Sequence, residues 1–120
     1  MYEAYKRRWF LKNKKRLYKK FQTYNRSFYG KLVRMYLNAQ QRVKGQDHHR
    51  LSYKGMSILD RQIFYKWAIE STNYCYLWQQ WKDSNYELKL TPTIDRLDKN
   101  KGYILSNIEI VTLSENVKRR

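Results

Sequence analysis

The sequence predicts an α+β chain, a mostly helical body that ends in a two-stranded hairpin and a short helix. Three observations carry this. Apolar residues recur at three- and four-residue spacing through residues 2–43 and again through 57–83, the period of helices with one buried side. Thr93-Ile94 and Ile108-Glu109-Ile110-Val111 are β-branched runs, the second alternating apolar and polar as a half-buried strand does. Thr112, followed three residues later by Glu115, has capping-box spacing, so a helix starts at about Leu113.

In chain order, the first helix runs from Tyr2 to about Asn25, with Phe10, Leu17, Phe21, Tyr24 and Phe28 forming an aromatic stripe expected to pack. Lys12, Lys15, Arg16, Lys19 and Lys20 fall largely between those residues and form a basic face. A break at Asn25-Arg26-Ser27 lets Ser27 cap a second helix to about Val43, whose inward side is Leu32, Met35, Tyr36, Ala39 and Val43. Residues 44–56 hold Gly45, Asp47, His48, His49, Arg50, Ser52 and Gly55 and read as a linker. Residues 1–44 are therefore expected to be a basic helical extension, and residues 45–120 the main domain.

Ser57 and Asp60 show capping-box spacing again, predicting a helix to about Ser71 with Ile63, Phe64, Trp67 and Ala68 inward. A further helix from Tyr74 to about Asp83 buries Leu77, Trp78 and Trp81, and Cys75 reads as a buried or half-buried apolar residue. Asn85 to Leu90 should approach the hairpin in extended form, because Pro92 disfavours helix at Thr91. Asn100-Lys101-Gly102 supplies the hairpin loop with a residue free to take positive φ.

Asp95 then ends the first strand, Asn107 starts the second and Asn116 lies in the last helix. A cation of the Mg²⁺ type takes one or two hard oxygen ligands from the protein and leaves the rest to water and phosphate, and Asp95 with the Asn116 amide oxygen would form such a half-shell. Each residue alone is common turn or helix punctuation. The adjacent pair His48-His49 does not point one way on any regular element and has no third histidine, so zinc is not expected.

Composition narrows the partner. The net charge is +16, and residues 1–44 hold fourteen Lys and Arg against Glu3 alone, whereas residues 45–120 hold twelve against nine acids. Clustering of that kind favours phosphate backbones, through counterion release, so DNA is the first expected partner and RNA the second. A single cysteine excludes an internal disulfide, and the absence of a long apolar run predicts an intracellular, cytoplasmic protein without a membrane partner. There is no Gly-rich phosphate loop or Ser-His-Asp set, and no small-molecule cofactor is expected.

Thr93-Ile94-Asp95-Arg96-Leu97-Asp98, Lys101-Gly102-Tyr103, Ser106-Asn107-Ile108, Val111-Thr112 and Glu115-Asn116 resemble, in order and spacing, the ββα-metal (HNH) endonuclease family, especially its phage-type members. The resemblance is close over about the last thirty residues, 91–120, and extends less specifically through the Ile63-Phe64-Tyr65-Lys66-Trp67 to Trp81 block. It implies a metal-dependent DNA endonuclease with one Mg²⁺ or Mn²⁺ held by Asp95 and Asn116, and Asn107 ordering the loop. Arg96 stands where the family carries a histidine base. Arginine does not deprotonate in a protein, so Arg96 is expected to clamp phosphate, with water activated by the cation or by His48, His49 or Tyr103. Lys118, Arg119 and Arg120 would add phosphate contacts. The alternative is a catalytically weak or inactive protein that binds nucleic acid through the same fold.

Overall fold

The computed structural model describes residues 2–46 and 51–119; His48, His49 and Arg120 lie outside them. Among the described residues there are five α-helices and a single antiparallel hairpin, an α+β arrangement with the sheet near the C-terminus. Helices α1 (Tyr2–Arg26) and α2 (Phe28–Val43) are separated by Ser27 alone. Its Oγ accepts a hydrogen bond from Gly30 N at 3.0 Å, the N-cap predicted from sequence. Gly30 has no substitute there, since a Cβ would collide with the Tyr24 carbonyl oxygen.

Helix α2 supplies one half of the core. Leu32, Met35, Tyr36 and Ala39 are buried and cluster with Phe64, Tyr74, Tyr103, Ile108 and Ile110. The core thus crosses the boundary expected at residue 44, and the part that stands apart is α1. The radius of gyration, 16.7 Å, exceeds the roughly 14 Å of a compact chain this long because α1 projects. Phe10, Phe21 and Tyr24 are 41, 57 and 50% exposed, so the aromatic stripe expected to pack lies largely in solvent. A helix of 25 residues outruns the body, and its C-terminal end is what is fastened. There the Trp78 indole N–H donates to Arg26 O at 3.0 Å, and the Arg26 guanidinium lies 4.4 Å from the Tyr86 ring centre.

Helix α3 (Arg61–Glu70) starts later than its expected capping box. Asp60 is the N-cap itself, its Oδ2 accepting from Gln62 N at 2.9 Å. Residues 57–59 are held instead along the hairpin loop: Tyr103 N donates to Ser57 O and Leu59 N to Tyr103 O, both at 2.8 Å. Gly102 serves this contact and takes no positive φ, since a Cβ would strike the Ser57 carbonyl. The inward side of α3 is Phe64, Tyr65 and Ala68, whereas Ile63 is 51% exposed. Tyr65 replaces it because α2 lies on that side, with the Tyr29 and Tyr36 rings 5.2 and 6.0 Å away.

Helix α4 (Thr72–Asp83), capped by Ser71, buries Tyr74 and Trp81, with Leu77 and Trp78 half-buried against the core. The Tyr74 hydroxyl donates to Phe28 O at 2.6 Å, and burial pushes that phenol well above its ordinary range. Cys75 is exposed, on the side of α4 turned from the core. The approach to the hairpin is not extended: Asn85 and Tyr86 take φ of 60° and 63°, and Leu88–Leu90 form a 3-10 turn. Tyr86 is held in this conformation by its N–H on Trp81 O at 2.8 Å and its ring edge-on to Trp81 at 5.0 Å.

Strands β1 (Pro92–Arg96) and β2 (Ile108–Thr112) pair antiparallel with Asp95 opposite Glu109 and Ile94 opposite Ile110. Strand alternation turns Ile94, Ile108 and Ile110 to the core and Thr93, Asp95 and Glu109 to the other face. Across that face lies α5 (Leu113–Lys118), capped by Thr112 Oγ1 accepting from Glu115 N at 3.2 Å, as its spacing predicts. No described helix is long and apolar enough to cross a membrane.

Candidate functional site

Helix α2, the 52–56 segment, strand β1, the 97–103 loop and α5 border an open cavity of about 740 Å³. Among the described residues its charged walls are Lys31 and Arg42 from α2, Asp95 and Arg96 from β1, Lys99 from the loop and Arg119 after α5, five cations and one carboxylate. Asn116 lines the same cavity. The acid at the end of β1 and the amide of the last helix therefore meet in one space, which follows from α5 turning back across the hairpin at its Thr112 cap. The Asn116 Nδ2 donates to Thr93 Oγ1 at 3.0 Å and reaches Ile94 O at 3.4 Å, leaving its Oδ1 as the available acceptor.

One carboxylate and one amide oxygen fit the protein half of a Mg²⁺-type shell. Among the described residues no three His, Cys, Asp or Glu are placed to hold a metal ion, so water and substrate oxygens would complete the coordination. A cation already sits at this point in the protein itself. The Arg119 Nη1 donates to Asp95 Oδ2 and Glu109 Oε2, both at 2.9 Å, and Arg119 Nε to Glu115 Oε1 at 3.4 Å. The hydrogen bonds to Asp95 and Glu109 raise the guanidinium pKa further above an already high value, so Arg119 stays charged at every accessible pH. Ligation through Asp95 Oδ2 requires Arg119 to move aside.

Arg96 is placed differently from a free phosphate fork. Its Nη1 donates to Lys99 O at 2.9 Å and Lys101 O at 3.0 Å and touches Met56 Sδ, while the guanidinium lies 4.1 Å from the Tyr53 ring centre and 5.7 Å from that of Tyr103. That end of the side chain holds the loop. Asn107 does the same from beneath: buried, it accepts from Asp98 N at 2.8 Å and donates to Asp98 O at 3.0 Å and Gly102 O at 2.9 Å. It does not line the cavity. Tyr103 does, but it is buried, and its hydroxyl accepts from Arg42 Nη1 at 3.4 Å.

The remaining predicted contacts fall elsewhere. Lys12, Lys15, Arg16, Lys19 and Lys20 are exposed along α1, and Lys118 is exposed on α5, all outside the cavity. Lys31, Arg42 and Lys99 are the cavity cations that sequence reasoning passed over. A signal existed for two of them. Lys31, Asn38 and Arg42 are spaced by seven and four residues, so they share one side of α2 beside its buried stripe, and all three line the cavity. No family model, curated protein or solved structure matches the chain.

Proposed function

We propose that this protein is a metal-dependent nuclease of the ββα-metal (HNH) type, hydrolysing a phosphodiester of DNA, with RNA as the second candidate substrate. The observation that carries the reading is the meeting of Asp95 and Asn116 in one cavity whose other charged walls, among the described residues, are cationic. Such a wall attracts a phosphate, and the two oxygen donors stand where a cation would face it. One Mg²⁺ or Mn²⁺ bound there would neutralise charge developing on the phosphate and leaving oxygen and acidify bound water. Arg96 and Asn107 hold the loop rigid beside the strand end. Arg119, released from Asp95, becomes a phosphate donor suited to two oxygens at once.

Helix α1 provides the grip. Its cations are exposed and interleaved with exposed Trp9, Phe10, Tyr18, Phe21 and Tyr24, a combination of backbone attraction and ring stacking that suits nucleic acid. Nicking of supercoiled plasmid with Mn²⁺ or Mg²⁺ tests the cleavage. The parent should nick, and Asp95→Ala and Asn116→Ala should each lose on the order of a hundredfold or more. Equal activity in all three, or none in the parent, refutes catalysis.

One observation favours a second reading, a nucleic-acid-binding protein that does not cut. Asp95 is already neutralised by Arg119, and arginine stands at the position of the expected histidine base. In that case the parent binds DNA with a steep salt dependence and nicks nothing.

A further inference from the structure

Lys31 is an unusual cation, half-buried on α2. It lines the cavity from α2, and its only partner among the described residues is the ring of Trp81, 5.2 Å from its Nζ. Among the described residues the one carboxylate that lines the cavity, Asp95, is taken by Arg119. The charge whose field acts on Lys31 is Arg34 on its own helix, and the other described charged groups that line the cavity are Arg42, Arg96, Lys99, Arg119 and the paired Asp95. The tyrosines facing the cavity are Tyr53 and Tyr103. A half-buried ammonium with a like charge beside it and no counterion among the described residues is destabilising unless an anion enters.

We propose that Lys31 is a phosphate ligand of this cavity, its ammonium donating to a non-bridging oxygen of a phosphate ester bound between α2 and β1. This rests on the reading of the cavity as a phosphate site and not on whether the ester is cut. It goes beyond the hairpin and last helix, because it assigns substrate contact to a helix that the ββα unit does not include.

The assignment has a signature that an ordinary surface lysine would lack. Burial, reinforced by Arg34, lowers the Lys31 pKa to about 8, so at pH 8 about half of the molecules have lost that proton. An anion against the ammonium favours the charged form, so binding at pH 8 must take up a proton from solution. At pH 6.5 the group is already charged, and no uptake from it follows.

Calorimetric titration of the full chain in two buffers of different ionisation enthalpy measures that uptake. The probes are a 12-nucleotide single-stranded DNA, the dinucleoside monophosphate d(TpT) and sulfate. The parent should take up about half a proton per bound site at pH 8, and less at pH 6.5. Lys31→Arg should keep affinity within a few-fold and lose the extra uptake; Lys31→Met should bind about tenfold more weakly or worse and lose it too. Uptake with the DNA and d(TpT) marks a backbone diester as ligand, and uptake with sulfate alone marks a free oxyanion. Uptake at pH 8 unchanged in Lys31→Arg, or parent-like affinity in Lys31→Met, overturns the proposal. A folded variant is secured by its melting temperature, which removal of the unpaired charge should raise. A parent that takes up the proton but never nicks plasmid leaves this inference standing while ending the nuclease reading.

Discussion

Helices α1 and α2 follow one another with a single residue between them and show the same apolar spacing, yet α2 buries its stripe and α1 leaves most of its own in solvent. The difference is one of partners. Leu32, Met35, Tyr36 and Ala39 meet α3, α4 and the hairpin loop, whereas α1 is fastened at its last turn and its preceding length extends past the body. Both helices are cationic, but α1 holds its charges on an exposed rod and α2 turns Lys31 and Arg42 into a cavity that also contains a carboxylate. In the proposed function, long-range attraction and local placement of a phosphate would fall to different helices.

The largest effect that would break this division is on affinity. Deleting residues 2–25 should weaken duplex DNA binding by roughly a hundred- to a thousandfold at low salt and flatten the plot of log affinity against log salt. An unchanged slope would show that α1 is not the contact. The next effect is on stability: Leu32→Ala should cost about 3 kcal/mol in urea unfolding, because Leu32 is completely buried. Phe21→Ala should cost under about 0.5 kcal/mol, because its ring is not packed on the body. Equal losses would mean that the stripe of α1 is covered in solution.

A pH titration sharpens the comparison within α2. The folded-state pKa of Lys31 lies below its ordinary 10.5, at about 8, so between those values the unfolded chain binds more protons and stability rises with pH. Below pH 8 the burden is fully present. Lys31→Met should therefore stabilise the protein at pH 7 by up to about 3 kcal/mol, with the gain disappearing towards pH 10.5. A pH-independent difference would place the Lys31 ammonium in water. A smaller loss than that of Leu32→Ala is expected at the junction of the two helices, where Ser27→Ala removes the acceptor of the Gly30 N–H and should cost about 1 kcal/mol.

Much of this was legible because it is local. The caps at Ser27 and Thr112 are decided by hydrogen bonds spanning three residues, and Pro92 and the β-branched runs locate the hairpin. The order of Asp95, Asn107 and Asn116 was readable for the same reason. What escaped depends on distant neighbours. Gly102 is needed because Ser57 packs against it, a contact no turn rule contains. Tyr65 rather than Ile63 faces inward because of where α2 lies. Arg119 reaches Asp95 and Glu109 only because the hairpin register sets those two acids side by side. Lys31 reads as one more basic residue until β1 and the 97–103 loop are folded over it.

The central claim is that Asp95 and Asn116 share a cation beside a bound phosphate. It is tested most directly by anomalous diffraction from crystals of the protein with Mn²⁺ and a short DNA duplex. A manganese peak within coordination distance of an Asp95 carboxylate oxygen and Asn116 Oδ1, with Arg119 turned from Asp95 to the phosphate, is the predicted result. DNA bound in the cavity with Arg119 still on Asp95 and no manganese between these side chains would contradict it.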